Sequence, residues 1–252
     1  IKMYKPTEPS LWQGRIDNEE LLPTWRWHQR VNTINITELT ENLDGATTLI
    51  GFACDEGVRR NQGRVGAAKG PEAIRQTLAN FSVHHERPLY DAGTVYCEGD
   101  DLESAQCQLA DTIARVLENN GAPIVLGGGH EMAWGSFQGI SRYLGSELNT
   151  RSLGIINFDA HFDLRNANHQ TSSGTPFRQI VERMRADDQE FHYHVVGLNR
   201  HSNTSALFSY AKENKVQWIE DINCHWNKLT QAEETLDKFI ASKDYIYLSV
   251  CM

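Results

Sequence analysis

Three side chains of metal-binding type lie close together near the middle of the chain. Asp159, His161 and Asp163 occupy alternate positions directly after the apolar run 153–158. Side chains at alternate positions of an extended backbone point to the same side, so we expect two carboxylates and an imidazole to converge. Mixed carboxylate and imidazole ligands favour a divalent ion such as Mn, Fe, Co or Zn. Taken alone, the pattern also fits a polar loop with one hydrogen-bonded histidine.

A second motif follows another apolar run, 123–127. It reads Gly-Gly-Gly-His-Glu over residues 127–131, where the glycines allow a sharp turn that places His130 at the edge of a sheet. Ligands of open parallel sheets bind at the carboxyl ends of strands, so we expect the two motifs to be neighbours. Glu131 either orients His130 or makes a buried polar contact. With bridging carboxylates, such a site holds two metal ions about 4 Å apart that share a hydroxide.

The elements that must position these residues alternate between apolar runs and helical stretches, which is typical of parallel strands joined by crossover helices. We predict strands at 47–53, 89–95, 123–127, 153–158, 193–198, 216–219 and 245–250. We predict helices at 71–80 and at 102–119 after Asp101, and a third that begins with a capping box of Thr230 and Glu233 and runs to about Ser242. Most strands are apolar almost throughout, as in a sheet covered on both faces. The sequence therefore predicts a three-layer αβα fold with a mostly parallel central sheet. We expect one domain over residues 1–252, with an irregular N-terminal extension over about residues 1–44.

Composition excludes several classes of function. With 24 Lys and Arg against 33 Asp and Glu, the net charge of −9 leaves no broad basic surface for nucleic acid. No apolar stretch approaches the roughly 20 residues that span a bilayer, and the N-terminus does not resemble a secretion signal, so we expect no membrane partner. The five cysteines form no CxxC pair, which indicates reduced thiols and a cytoplasmic protein. Since the chain begins at Ile1 and stops at Met252 directly after an apolar run, we expect a fragment truncated at its C-terminus.

Both motifs resemble those of one enzyme family, the arginase and agmatinase superfamily of ureohydrolases. The resemblance includes GGGHE at 127–131, NFDAHFD at 157–163 and an upstream block at 55–75, and it extends over residues 47–252. It implies an arginase-like fold and a pair of Mn²⁺ ions with a bridging hydroxide that attacks a guanidinium or amidine carbon. It also implies that His130, Asp159, His161 and Asp163 are metal ligands, with Asp159 bridging.

The last strand departs from the wider family. Where that family has an SxDxD motif with two more ligands, this chain reads Ser249, Val250, Cys251, Met252. Cys251 therefore replaces an aspartate, and both a thiolate ligand and a buried structural cysteine remain open.

The formimidoylglutamase branch of the family has a similar cysteine. Two other segments resemble that branch: Ser173 stands where agmatinases have a histidine before Gly-Thr, and residues 12–17 resemble its WxGRxD segment. A serine cannot replace histidine as a base near neutral pH, so the reaction should differ from guanidinium hydrolysis. The resemblance implies hydrolysis of N-formimidoyl-L-glutamate to L-glutamate and formamide, a step of histidine degradation.

Such a small, anionic, amino-acid-derived substrate needs donors for its carboxylates. Arginine forks suit them, with Arg165 as first candidate, while each arginine alone also fits a solvated surface charge. The remaining candidates for substrate contact are Arg178, Ser173, Asn199, Arg200 and Arg64. Asp163 is the candidate for accepting a proton and passing it to the leaving amine, and His169 is a second catalytic candidate.

Two other functions remain as alternatives. One is an agmatinase or related guanidino-acid hydrolase that releases urea. The other is a non-catalytic homologue that uses the fold for assembly. Many members of the family form rings or dimers, so a homo-oligomer remains open as well.

Overall fold

The structure, a computed structural model, describes residues 3–17 and 24–252 of the chain. Residues 1–2 and 18–23, which belong to the predicted N-terminal extension, lie outside the described residues. The chain divides into two compact units, Ile1–Tyr143 and Leu144–Met252, here called unit 1 and unit 2. Organisation as a single domain stays a prediction.

Unit 1 contains a five-stranded sheet. Its strands are β1 (Tyr4–Lys5), β2 (Val31–Thr33), β3 (Thr47–Ala53), β4 (Leu89–Tyr96) and β5 (Ala122–Gly127). The order is β1-β4-β3-β5, with β2 also paired to β4, and every pairing except that of β1 with β4 is parallel. The helices are α1 (Trp27–Arg30), α2 (Glu56–Arg60), α3 (Gly70–Leu78), α4 (Leu102–Glu118) and α5 (Met132–Leu144).

Helix α4 shows how the sequence produces this unit. The Asp101 carboxylate accepts a hydrogen bond from the backbone N–H of Ser104 at 3.2 Å and so caps the first turn. The apolar side chains that recur at helical spacing are buried: Leu102, Leu109, Ile113 and Val116. They join a core cluster with residues of β3 and β4, as expected of an amphipathic helix whose apolar stripe packs on a sheet.

Unit 2 contains a four-stranded sheet that is entirely parallel. Its strands are β6 (Leu153–Phe158), β7 (His192–Leu198), β8 (Gln217–Glu220) and β9 (Tyr245–Val250), in the order β8-β7-β6-β9. The helices are α6 (Pro176–Ala186), α7 (Ser205–Glu213) and α8 (Leu229–Ala241). All seven predicted strands are therefore present, within one residue at each end. Among the described residues, no helix combines the length and apolar character that a bilayer crossing requires.

The capping box predicted for α8 is wrong. The helix begins at Leu229 with Lys228 as its N-cap, and no side chain caps it. Thr230 therefore lies inside the first turn, where its hydroxyl cannot take the N-cap role.

The two strands β5 and β9 also depart from the expectation of strands covered on both faces. Along β9, Ile246, Leu248 and Val250 are exposed and alternate with half-buried residues, and Ile124 of β5 is likewise exposed. This alternation is typical of a strand with one covered face.

A buried ion pair joins the sheet of unit 1 to the N-terminal segment. Arg75 of α3 donates from Nε and Nη2 to the two carboxylate oxygens of Asp91 on β4, at 2.8 and 2.7 Å. The same carboxylate accepts hydrogen bonds from Thr7 Oγ1, Trp12 Nε1 and the Gly93 amide. Trp12, which the sequence offers only as a marker of one enzyme branch, thus anchors the N-terminal segment.

We expect a buried histidine to make the stability of the protein depend on pH. His194 of β7 packs edge-on against Phe239, with 5.4 Å between ring centroids. Burial lowers the pKa of His194 from its ordinary value of 6.5, and the Gln217 side chain opposes this in part. Because His194 binds a proton more readily in the unfolded chain than in the folded chain, the free energy of unfolding falls as the pH drops below 6.5.

The measurement is urea unfolding at about pH 7.5 and pH 5.5, where one such group costs up to about 1.4 kcal/mol per pH unit. His194→Gln should show a smaller loss between the two pH values than the wild type. The exposed His225, changed to Asn, should leave the wild-type loss intact. An unchanged loss in His194→Gln would show that this histidine does not carry the dependence.

Candidate metal centre

In unit 2, Asp159 and His161 form a close pair directly after β6. The Asp159 side chain is buried, and its Oδ1 accepts the backbone N–H of His161 at 2.9 Å and lies 3.4 Å from His161 Nδ1. Asn157 Nδ2 donates to the other carboxylate oxygen at 3.2 Å. The hydrogen bond with Asp159 raises the pKa of His161, an effect that burial opposes and the charges of Asp159 and Asp163 reinforce. The structure thus brings together an imidazole and two negative charges.

The expectation of extended backbone through this motif is wrong. β6 ends at Phe158, bends follow, and Asp163 has φ of 49°, in the left-handed region. Aspartate tolerates that region better than most residues because its short polar side chain bonds locally. The three side chains therefore do not converge through strand alternation.

Two residues, one in β7 and one shortly after it, hold this loop in place, and no sequence motif identifies them. Asn203 accepts the backbone N–H of Phe162 at 3.0 Å and donates to the carbonyls of Ala160 and Asn199 at 2.9 and 2.8 Å. The buried Tyr193 hydroxyl donates to the carbonyl of Phe162 at 3.0 Å. The shape of the metal motif therefore depends on tertiary contacts within unit 2.

Replacing Asn203 should loosen the loop. At about 0.5–1.5 kcal/mol for each hydrogen bond, Asn203→Ala is expected to lower the free energy of unfolding by about 2–3 kcal/mol. Urea unfolding measures this loss. Asn214→Ala is a control from the same unit, since the Asn214 side chain donates to Tyr210 O at the end of α7, and we expect it to cost less. An equal cost for the two variants would contradict the special role of Asn203.

Cys251 lies beside Asp159 across two paired strands. Val250 of β9 is in register with Phe158 of β6, and the Cys251 amide donates to the carbonyl of Phe158 at 2.9 Å. The side chain of Cys251 is exposed. Cys251 is thus exposed at a strand end next to a carboxylate, and its role as a metal ligand stays a prediction.

In unit 1, the turn that carries His130 lies against the end of β3. The Gly129 amide donates to the carbonyl of Cys54 at 2.8 Å. A Cβ on Gly128 would lie 2.4 Å from the carbonyl oxygen of Phe52, whereas the φ angles of the three glycines are not positive. Gly128 is thus required by close backbone approach, and the chain turns after β5 as predicted. His130 itself is half-buried.

The two arginines that lead the list of predicted substrate ligands have different surroundings. Arg165 is exposed, and its charge opposes protonation of His161, so its guanidinium lies near the metal motif. Arg178 instead pairs with Glu182 at 2.7 Å and lies over the Tyr210 ring at 3.5 Å.

The other candidates lie in loops. Asn199 caps the turn after β7 by accepting the amides of His201 and Ser202, and Arg200 pairs with Glu220. Ser173 is half-buried, and His169 and Arg64 are exposed. Arg165 is thus placed near the Asp159 and His161 pair by its electrostatic effect, and Asn199 by its backbone N–H, which donates to the carbonyl of Ala160 at 2.9 Å.

The donor set of unit 2 fits a divalent ion of borderline hardness. It combines the buried Asp159 carboxylate, the imidazole of His161 and the carboxylate of Asp163, with the Cys251 thiol beside them. Carboxylate and imidazole together suit Mn²⁺, and a buried carboxylate is stabilised by a cation.

The chain is similar to a known protein family and to several of its characterised members. The family model described as the arginase family matches residues 46–252. A formimidoylglutamase of Ralstonia nicotianae is 44% identical over 251 residues, covering 99% of this chain and 76% of that protein. A formimidoylglutamase of Aliivibrio fischeri is 46% identical, covering 95% of this chain and 72% of that protein.

Solved structures agree with this chain at the level of the fold. A formimidoylglutamase from Bacillus subtilis superposes with a TM-score of 0.75 at 22% identity, over 94% of this chain and 72% of that one. Trypanosoma cruzi formiminoglutamase with Mn²⁺ superposes with a TM-score of 0.66 at 25% identity, over 82% of this chain and 69% of that one. The predicted arginase-like α/β fold is thereby confirmed.

Proposed function

This chain belongs to the arginase family, and we propose that it hydrolyses N-formimidoyl-L-glutamate to L-glutamate and formamide with two Mn²⁺ ions. The observation that carries the proposal is Cys251 directly after the paired ends of β6 and β9, at the strand end where the branch resemblance places it. Relatives named formimidoylglutamase, 41–46% identical to this chain, support the same substrate. The −9 net charge and five free cysteines support a cytoplasmic enzyme that binds no nucleic acid.

We assign the metal ligands from the motifs. They are His130, Asp159, His161, Asp163 and Cys251. When bound, Mn²⁺ ions lower the pKa of a water molecule so that hydroxide is available near neutral pH, and they act as a Lewis acid.

The residues of the chain then bind the substrate and move protons. Arg165 is placed to meet a substrate carboxylate, since its charge acts at the His161 ring. A carboxylate oxygen of Asp163 accepts a proton of the attacking water and delivers it to the glutamate nitrogen as the bond from the formimidoyl carbon to that nitrogen breaks. Oxygen adds to the carbon, so the products are formamide and glutamate.

The test is product release by the full-length protein loaded with Mn²⁺. N-formimidoyl-L-glutamate, agmatine and arginine are supplied separately, and formamide and urea are measured. Formamide from the first substrate alone is the expected result. Urea from a guanidino substrate would replace the proposal with a ureohydrolase of the agmatinase type, and release of neither product would favour the non-catalytic alternative.

A further inference from the structure

The fully buried carboxylate of Glu131 links two loops of unit 1. Its Oε1 accepts the backbone N–H of Gly57, in the first turn of α2, at 2.9 Å. The thiol of Cys54, just after β3, donates to the same oxygen at 3.6 Å. Glu131 is 0% exposed. A single side chain therefore connects the turn after β5 to the segment between β3 and α2.

The backbone around Glu131 is shaped to leave room for this carboxylate. A Cβ on Gly57 would lie 2.5 Å from Glu131 Cδ, and a Cβ on Gly129 would lie 2.0 Å from Glu131 Oε2. Gln106 of α4 fixes the backbone of the same residue, since its Nε2 donates to the carbonyl of Glu131 at 2.8 Å. Main chain and side chain of Glu131 are thus held from different elements.

The cost of this arrangement indicates a role beyond packing. Within residues 3–17 and 24–252, Glu131 Oε2 has no hydrogen-bond partner and is buried. Burying an unpaired polar oxygen costs free energy, and an apolar side chain of similar size would fill the space without that cost. The carboxylate is the part of the Glu131 side chain that accepts hydrogen bonds from the Gly57 amide and the Cys54 thiol, and His130 is the adjacent residue.

We propose that Glu131 is a positioning residue, which fixes the turn that presents His130 to the metal by holding Gly57 and Cys54. The catalytic part of this inference rests on the proposed function, whereas the metal-binding part does not. Partners that orient a ligand without touching the metal typically change metal affinity by about 10–100-fold. Since Glu131 does not reach substrate, its loss should lower kcat with KM nearly unchanged.

The experiment compares variants of the full-length protein by Mn²⁺ titration calorimetry and by steady-state kinetics. In Glu131→Ala, the weaker of the two Mn²⁺ equivalents should bind about 10–100-fold more weakly. Glu131→Gln keeps an oxygen for the Gly57 amide and should recover most of that affinity. In Gly57→Ala, the added Cβ displaces the Glu131 carboxylate. The same Mn²⁺ equivalent should therefore bind more weakly.

Val116→Ala is the matched control. It truncates a buried side chain of the same unit at the far end of α4, so it lowers thermal stability while leaving both Mn²⁺ affinities at the wild-type value. The inference is wrong if Glu131→Ala and Gly57→Ala bind both equivalents as tightly as Val116→Ala does. If the wild type binds two Mn²⁺ but releases no formamide, the proposed function fails and the titrations still decide the role of Glu131.

Discussion

Asp159→Asn is expected to lower kcat for formamide release by at least about 10³-fold, equivalent to about 4 kcal/mol of transition-state stabilisation. Asparagine keeps the size of the side chain and an oxygen for the backbone N–H of His161. It removes the buried negative charge that a metal pair needs, so the effect reports charge rather than shape. The measurements are kcat and the Mn²⁺ content of the purified protein.

A second measurement follows the same substitution without metal. The Asp159 carboxylate raises the pKa of His161, so Asp159→Asn should lower that pKa in the metal-free protein, as seen by NMR titration of the ring. Asp187→Asn is the matched control, since Asp187 pairs with Arg183 at the exposed end of α6 and should leave kcat unchanged. An Asp159→Asn enzyme with two bound Mn²⁺ and near-normal kcat would show that our ligand assignment is wrong.

The sheet strands were predictable because their signal is local. The runs that became β3, β6 and β9 are bounded as predicted, since apolar β-branched residues pack on a pleated surface wherever they occur. The start of α8 was not predictable in the same way. Thr230 and Glu233 have the spacing of a capping box, but the N-cap is Lys228, two residues before Thr230.

In the candidate site, too, the locally encoded features could be predicted and the tertiary contacts could not. Residue types and spacing identify Asp159, His161 and Cys251, and the structure places them at paired strand ends. The contacts of Asn203 and Tyr193 with the loop could not be predicted, because both bond to the backbone of Phe162, which is 41 and 31 residues away in sequence. The surroundings of Arg178 could not be predicted either, since its contacts with Glu182 and Tyr210 depend on the packing of α6 and α7, and its role in substrate binding stays a prediction.

Asp91→Ala is expected to lower the free energy of unfolding by about 3–5 kcal/mol, because it leaves the guanidinium of Arg75 buried without its counter-charge. Arg75 is 1% exposed and Asp91 0% exposed, so water cannot replace the lost contacts. Urea unfolding measures the loss. The substitution also removes the acceptor for Trp12 and Thr7, so the N-terminal segment should become more accessible to protease.

Comparison of single and double variants separates the buried charge from the packing around it. If the uncompensated guanidinium causes most of the loss, Arg75→Met combined with Asp91→Leu should be more stable than Asp91→Ala, because apolar residues of similar size replace a buried pair at little cost. Trp12→Phe removes one hydrogen bond to the carboxylate and should cost about 1.5–3 kcal/mol. A double variant no more stable than Asp91→Ala would mean that the hydrogen bonds to Thr7, Trp12 and Gly93 dominate the network. In that case the ion pair chiefly serves to orient a carboxylate that anchors the N-terminal segment on β4.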